Sequence, residues 1–172
     1  DYLPLITGHP LEKEPGTAFA YSNAGFVILG KIIESATGRD FYDVVETRVF
    51  RPAGMTRSFY GSATEHQNVA IGLTNFLPVG NDYVFRLGPK RDSTADGSAK
   101  GGAHGGAFVT ADDLLRFMTA VRTGKLTSAK PAKLLTTPQG IGRLGDTKNG
   151  FGFEIMSQNG HTILGHGGGE IG

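Results

Sequence analysis

The segment from Asn23 to Thr37 limits most strongly what this chain can fold into. Its apolar residues recur with the i, i+3, i+4, i+7 spacing of one helix face: Phe26, Leu29, Gly30 and Ile33. Further apolar residues fill the remaining sides of the helix: Val27, Ile28 and Ile32. Because a helix that is apolar on most sides has to be buried, the pattern predicts a largely buried helix over residues 23–37. Ser22 or Asn23 can cap its start, and Gly38 can end it.

Three further helical stretches are predicted, of which the one after Thr110 is the clearest. A second helix is predicted over residues 40–50, where Pro52 stops it. A third begins after Thr110, a good N-cap with Asp113 three residues on, which is close to a capping box. A weaker helical stretch covers residues 128–135. Residues 1–20 are rich in proline and are predicted to form an irregular N-terminal segment.

Strand signals concentrate near the end of the chain. Short strands are predicted at 69–73 and 83–85, and apolar residues alternate over 151–155 and again at 162–164. Between the last two lies Gln158-Asn159-Gly160, and an Asn-Gly pair between alternating runs is a strong hairpin signal. Helices in the middle and antiparallel strands late in the chain predict an α+β fold.

Composition excludes several classes of protein. The 172 residues suffice for one domain. The chain has 17 Lys and Arg and 16 Asp and Glu, and its basic residues form no stripe of the kind that binds nucleic acid. No apolar run approaches the roughly 18 residues that span a bilayer, so no transmembrane segment is predicted. The absence of cysteine excludes a thiol nucleophile and fits both a reducing compartment and a secreted protein.

The first candidate site is Tyr21-Ser22-Asn23, immediately before the predicted buried helix. In an extended segment residues two apart point the same way, so Tyr21 and Asn23 should share one face. A phenol beside a carboxamide suits proton transfer and recognition of an amide or ester carbonyl. The alternative is structural: Tyr21 packs on the core and Asn23 caps the helix.

The second candidate is Gly165-His166-Gly167-Gly168-Gly169. Glycines after a strand let another backbone approach and expose N–H groups that can hold an oxyanion, while His166 can orient a carboxylate or relay a proton. The alternative is a glycine-rich turn with a solvent-facing histidine. The oxyanion loop of α/β-hydrolases also reads His-Gly-Gly-Gly, but it requires a downstream Gly-x-Ser-x-Gly, which is absent here.

No metal site or organic cofactor is predicted. His161 and His166 are five residues apart, which does not suit two ligands on one helix face, and no carboxylate pair accompanies them. His104 lies in a glycine-rich loop and is predicted to be a loop residue, with lining a cleft as the alternative.

Taken in order, these segments resemble the β-lactamase-related family of penicillin-recognising serine hydrolases, which includes class C β-lactamases, D,D-peptidases, D-aminopeptidases and β-lactamase-like esterases. The resemblance rests on an ordered set of motifs: Pro15-Gly16-Thr17, Tyr21-Ser22-Asn23, Leu29-Gly30, Thr37-Gly38, Pro52-Ala53-Gly54-Met55, Gly105-Gly106, Thr110-Ala111-Asp112-Asp113-Leu114, Gly150-Phe151-Gly152-Phe153 and Gly165-His166-Gly167-Gly168-Gly169. It implies the β-lactamase/transpeptidase-like fold and hydrolysis of an amide, ester or β-lactam through an acyl-serine intermediate.

The resemblance also implies residue roles. Tyr21 would assist proton transfer to and from the serine and the leaving group, and Asn23 would hold the amide of the acyl side chain. His166 and Gly168 would fill the third motif, and the N–H of Gly169 would form half of the oxyanion hole. Substrates would be small molecules or peptides, such as acyl-D-amino acids, esters or β-lactams. The family favours a periplasmic or secreted location, and the residues leave a cytoplasmic one open.

One departure from the family pattern is large. Ser-x-x-Lys, which supplies the nucleophile in the family, does not occur in these residues, and Thr127-Ser128-Ala129-Lys130 offers only a threonine at that distance. Residues 1–172 are therefore expected to be a partial domain, without the N-terminal Ser-x-x-Lys region and the C-terminal strands and helix, and inactive alone. A rival interpretation is a non-catalytic module that binds peptidoglycan-like peptides or a partner.

A second departure concerns substrate choice. The third motif begins with histidine where the family also uses lysine, and histidine carries only part of a charge near pH 7. It would bind a substrate carboxylate less strongly than lysine does. This favours D,D-peptidase, D-aminopeptidase or esterase action over dedicated β-lactamase action.

Overall fold

Helices and small antiparallel sheets make up the fold. The computed structural model describes residues 3–66, 68–80, 82–94, 100–140 and 148–169. The helical elements are α1 Leu3–Ile6, α2 Asn23–Thr37, α3 Phe41–Val45, a π-helical turn Glu46–Phe50, α4 Arg51–Ala53, a 3-10 turn Ala63–Glu65, α5 Ala111–Arg122 and α6 Ala129–Thr136. The predicted α+β class is confirmed. The predicted irregular N-terminal segment is wrong only at α1, a single helical turn.

The ends of α2 are set by local hydrogen bonds. Ser22 is the N-cap, and its Oγ accepts from the Gly25 N–H at 3.0 Å. Gly38 ends the helix in the left-handed region, with φ 63°, and donates to the Glu34 carbonyl. Both predicted helix limits are therefore confirmed.

The burial predicted for α2 is wrong. Gly30 is its one buried residue, whereas Phe26, Leu29 and Ile32 are 39%, 51% and 55% exposed. Within the described ranges much of this apolar face is open to solvent. The helix signal depends on periodicity inside the segment, but burial depends on what packs against the segment, which periodicity does not report.

The second helix runs further than predicted. It continues from α3 through the π-helical turn Glu46–Phe50 into α4, so Pro52 does not stop it. Pro52, which has no N–H to donate, directly follows this wider turn, in which the Arg51 N–H donates to the Glu46 carbonyl. Gly54, with φ 77°, ends the helix instead.

The strands form three small antiparallel sheets. They are β1 Leu73–Thr74, β2 Phe76–Val79, β3 Asp82–Phe85, β4 Arg91–Asp92, β5 Lys148–Asn149, β6 Glu154–Gln158 and β7 His161–Gly165. The sheets have the strand orders β1-β4, β2-β3 and β5-β6-β7. The predicted hairpin between β6 and β7 is confirmed, and Asn159 and Gly160 both have positive φ. In place of the strand predicted at 69–73, the structure has only the two-residue strand β1. The prediction also missed β2, where Pro78 weakens the strand signal.

The core lies where the α3–α4 region meets α5. Its buried residues are Phe50, Ala53, Met55 and Ala120, with partly buried Val45, Val49, Tyr60 and Phe117 packed around them. These apolar contacts explain why the two helical regions hold together while the small sheets lie mostly at the surface.

A buried carboxylate ties α5 to the chain that follows α4. Thr110 caps α5 as predicted, accepting from the Asp113 N–H at 3.2 Å. The Asp113 carboxylate does not complete a capping box; it accepts from the Arg57 N–H at 2.8 Å and the Ser58 hydroxyl at 2.9 Å, and pairs with Arg116 at 3.0 Å. Burial raises the pKa of Asp113, but these hydrogen bonds and the Arg116 charge together lower it further, so the pKa lies below its ordinary value.

Candidate active site

Tyr21 and Asn23 meet at the start of α2. The backbone of Ser22 is extended, with φ −150° and ψ 109°, and the Tyr21 hydroxyl donates to Asn23 Oδ1 at 2.9 Å. The prediction that these two side chains share one face is confirmed in its geometry. The structural alternative does not hold, because Ser22 caps the helix instead of Asn23 and Tyr21 is 45% exposed.

His166 reaches the same place from the other end of the chain. It directly follows β7, whose pairing with β6 carries the chain back towards α2. Its ring lies 5.9 Å from the Tyr21 ring, centroid to centroid, at an interplanar angle of 36°. Its Nδ1 lies 2.5 Å from the Gly167 carbonyl oxygen, a contact that orients the imidazole. The structure thus brings together two residues that the sequence places far apart.

Tyr21 and His166 line one cavity of about 540 Å³, a size typical of a small-molecule site. Its remaining walls are mainly aromatic and aliphatic: Phe19, Phe26, Leu29, Leu135, Phe151 and Phe153. No Lys or Arg is among the described lining residues, and Glu154 is the one acid. The polar groups of Tyr21 and His166 beside an apolar wall can hold a carbonyl group.

The cavity wall that contains Leu135 and Phe151 depends on close contact between α6 and the turn before β6. A Cβ on Gly150 would lie 2.0 Å from the Leu135 carbonyl oxygen, so the residue cannot carry a side chain there without displacing backbone. The Phe151 N–H donates to the Leu134 carbonyl at 3.2 Å. Sequence alternation predicted 151–153 as part of a strand, but β6 begins only at Glu154, because these residues turn against α6.

Asn149 is a cavity-lining residue that the sequence analysis missed. Its side-chain Nδ2 is buried and has no hydrogen-bond partner within the described residues. A buried donor without a partner costs about 1–3 kcal/mol. Asn149 belongs to no motif and to no periodic pattern, and no sequence signal marks it.

Gly168 and Gly169 lie in the exposed segment after β7. A Cβ added to either would meet no atom within 4 Å, so packing within the described chain does not require glycine there. Their proposed contribution to an oxyanion hole stays a prediction. Thr127, the threonine at the family's spacing from a lysine, lies between α5 and α6 and is not among the residues that line the cavity.

His104 lies away from this cavity. It lines a second cleft of about 220 Å³ on another side of α2, together with Lys31, Glu34 and Asp40. In the described part of the chain no group of three or more His, Cys, Asp or Glu side chains is placed to hold a metal ion. No described helix is both long and apolar enough to cross a membrane.

The chain is similar to known proteins in sequence and in structure. The family model described as beta-lactamase matches residues 3–172. A D-aminopeptidase of Cereibacter sphaeroides is 31% identical over 180 residues, an alignment that covers 98% of this chain and 31% of the relative. The crystal structure of a penicillin binding protein from Bacillus halodurans superposes with a TM-score of 0.78 at 31% identity, covering 94% of this chain and 47% of that one. D-amino acid amidase from Ochrobactrum anthropi SV3 superposes with a TM-score of 0.67 at 26% identity, covering 92% and 45%.

The chain spans about a third of the length of the curated relative and just under half of the two solved structures. The β-lactamase/transpeptidase-like fold expected from the motifs is confirmed by these superpositions, and the chain corresponds to part of that fold.

Proposed function

The chain belongs to the β-lactamase family, as its motifs predicted, and from that premise we propose that it supplies the second and third catalytic motifs of a serine hydrolase that cleaves amide bonds. The observation that carries the proposal is the shared cavity, in which the Tyr21 and His166 rings lie 5.9 Å apart. Catalytic groups have to converge on one reacting atom, and these two residues come from opposite ends of the chain.

The nucleophile in this proposal is a serine outside residues 1–172. Its hydroxyl has to come within hydrogen-bond distance of the Tyr21 Oη for proton transfer. The segment that carries it would therefore lie beside Tyr21 and cover the exposed faces of Phe26 and Leu29, which leave an apolar wall open to solvent here. Covering that wall is favourable, since it removes apolar surface from water.

Three of the motif residues have defined roles in the proposed reaction. Tyr21 relays a proton: as the serine attacks the carbonyl carbon and the C–N bond breaks, the Tyr21 hydroxyl gives its own proton to the leaving amine and takes the serine proton in its place. Asn23 accepts from Tyr21 through Oδ1, so its Nδ2 can donate to the substrate carbonyl. The N–H of Gly169 supplies half of the oxyanion hole, and water then releases the acyl group from the serine.

We further propose a small amide built on a D-amino acid as the substrate. Two of the similar proteins carry names that indicate such substrates, a D-aminopeptidase and a D-amino acid amidase. The aromatic and aliphatic cavity wall suits an uncharged apolar group next to the scissile bond. Histidine instead of lysine at the third motif lowers the preference for substrates that need a strong cation for a carboxylate.

A second candidate is a binding module with the same fold and no hydrolysis. Such a module would have no Ser-x-x-Lys anywhere in its full-length chain, and residues 1–172 contain none. The coding sequence upstream of this chain discriminates the two: Ser-x-x-Lys before Tyr21 supports the enzyme, and a full-length chain without it supports the binding module. For the enzyme and for the binding module alike, we propose that residues 1–172 form part of one domain.

Covalent labelling tests the proposed function. The full-length protein that carries this chain and the 172-residue chain alone are each treated with a fluorescent penicillin or a fluorophosphonate. We expect labelling of the full-length protein only, because the chain lacks the serine. Stable labelling of the 172-residue chain would show that the nucleophile lies within it, and an unlabelled full-length protein that does not hydrolyse D-amino acid amides would support the binding module.

A further inference from the structure

The β2–β3 hairpin has an unusually apolar surface. Its strands pair with each other, and its exposed apolar side chains include Phe76, Val79, Tyr83, Val84 and Phe85, each at least 40% exposed. Phe76 and Phe85 contact each other edge to face at 5.5 Å, but their outer surfaces face solvent. A patch of this kind on a small protein commonly marks an interaction surface.

The two edges of the hairpin differ. Arg86 N–H donates to the Asn75 carbonyl at 2.9 Å, so this pair is a hydrogen-bonded one. Hydrogen-bonded and non-hydrogen-bonded pairs alternate in an antiparallel ladder, and in the observed register Phe76–Phe85 and Pro78–Tyr83 are therefore non-hydrogen-bonded pairs.

It follows that the backbone groups of these four residues point away from the hairpin. On the β2 side, Pro78 has no N–H to offer, which blocks that edge to a further strand. On the β3 side, Tyr83 and Phe85 present complete N–H and C=O pairs. The edge of β3 is thus the one that can accept another strand.

We propose that β3 pairs edge to edge with β3 of a second copy of this chain, in an antiparallel arrangement centred on Val84. This register places Val84 opposite Val84 of the second copy at the two-fold axis. Tyr83 then faces Phe85 of the second copy, and Asp82 faces Arg86 of the second copy. The result is a four-stranded antiparallel sheet across the dimer.

Two independent features of the strand fit this register. Tyr83 and Phe85 point their backbone groups outward, and opposite each other they form a hydrogen-bonded pair, as a ladder requires. Asp82 and Arg86 carry opposite charges, and in the described ranges neither belongs to an ion pair. The symmetric pairing gives each of them one partner, so the dimer contains two such ion pairs. A register shifted by one residue removes both ion pairs and turns the side chains to the wrong faces.

Such an interface is small, because it joins five residues of each copy, so the dimer belongs to the weak class of association. Sedimentation experiments at protein concentrations from about 1 μM to about 1 mM cover the dissociation constants expected for such a weak dimer. We expect reversible monomer–dimer exchange in this range. A protein that stays monomeric throughout, including one whose β3 edge is covered by another part of the full-length chain, overturns the proposal.

Disulfide trapping tests which residues meet at the axis. The chain has no cysteine, and residues opposite each other in a non-hydrogen-bonded pair lie close enough for a disulfide. Val84→Cys should therefore give a covalent dimer on mild oxidation. Val79→Cys is the matched control, since Val79 is 57% exposed against 54% for Val84 but lies on the blocked strand. Equal crosslinking of the two variants contradicts the proposed axis.

Charge exchange tests the register. Asp82→Arg places two arginines opposite each other, and Arg86→Asp places two aspartates there, so each single variant should weaken dimerisation about tenfold or more. The double variant D82R/R86D restores opposite charges and should return the dissociation constant to near its original value. Failure of the double variant to recover, with circular dichroism unchanged, overturns the proposed register.

Discussion

The Tyr21 hydroxyl is the single atom on which the proposed chemistry depends most. It donates to Asn23 Oδ1, while the ring of the same residue lies against His166. Sequence spacing predicted the first contact, because residues two apart in an extended segment share a face. The position of His166 could be predicted only through the family resemblance, since the contact depends on how the whole chain folds.

Residue-level reasoning failed where the partner is remote in sequence. Asp113 looked like part of a capping box, yet its carboxylate bonds to Arg57 and Ser58, more than fifty residues earlier. Asn149 had no signal at all, because an unsatisfied buried amide is a property of its surroundings and not of its neighbours in the chain.

At residue 166, a lysine should change substrate preference. His166→Lys places a full positive charge beside the cavity near pH 8, so a substrate carboxylate would gain a charge-assisted hydrogen bond. We expect the ratio of kcat/KM for a β-lactam carboxylate to that for an uncharged D-amino acid amide to rise about tenfold. The measurement is paired steady-state kinetics on the full-length protein, and an unchanged ratio would mean that residue 166 does not face the substrate carboxylate.

The Asp113 carboxylate should make stability depend on pH in one direction. Its pKa is lower in the folded state than in the unfolded chain, where it is about 3.9, so its stabilising contribution is present above that value and is lost as pH falls through the folded pKa. Asp113→Asn cannot make this contribution at any pH. The difference in unfolding free energy between the two proteins should therefore be largest near neutral pH and shrink below about pH 4.

Asp112→Asn is the matched control for that measurement. Asp112 is the neighbouring acid, 71% exposed, and pairs with Arg57 at the surface at 2.6 Å. Surface pairs of this kind contribute about 0–1 kcal/mol, so urea unfolding curves should change little. If the two variants behave alike, the buried network does not stabilise the fold as described.

Among the elements, α2 shows what local sequence determines. Its limits were predicted to the residue, because Ser22 and Gly38 act on backbone groups within one turn. Its burial was predicted wrongly, because burial depends on what packs against the helix, and much of its apolar face is open to solvent. The π-helical turn before α4 was also missed, since Pro52 ordinarily ends a helix and no sequence pattern marks a π-helical turn.

Close packing between α2 and the glycine-rich loop gives an element-scale prediction. A Cβ on Gly30 would lie 2.7 Å from the Ala103 Cβ, so Gly30→Ala should lower the unfolding free energy by about 1–3 kcal/mol. Gly30→Ala with Ala103→Gly exchanges the two side chains and should recover much of the loss. A double-mutant cycle from urea unfolding measures this coupling.

The same helix provides the control. A Cβ on Gly25 would meet Ser22 only at 3.6 Å, an ordinary contact, so Gly25→Ala should stabilise α2 by about 0.5–1 kcal/mol through lower backbone entropy. Loss of stability in both glycine variants, or no recovery in the double exchange, would mean that Ala103 is not what excludes a side chain at position 30.

On the scale of the whole molecule, the order of motifs predicted more than any single element did. Fold class, family and the meeting of Tyr21 with His166 follow from several weak signals in a fixed order, each of which had a structural alternative. What the sequence could not predict was the cavity itself, which needs α6 pressed against Gly150 and the turn before β6. Those contacts join elements whose local patterns carry no information about each other.

A double-mutant cycle on Tyr21 and His166 tests most directly whether the two ends of the chain form one catalytic site. In the full-length protein, Tyr21→Phe and His166→Ala should each reduce kcat/KM for a D-amino acid amide, the first by about 10²–10⁴ and mainly through kcat. Because the two side chains act at one site, the double variant should lose less than the product of the single losses. Turnover unchanged by Tyr21→Phe, or single effects that simply multiply, would contradict a shared site.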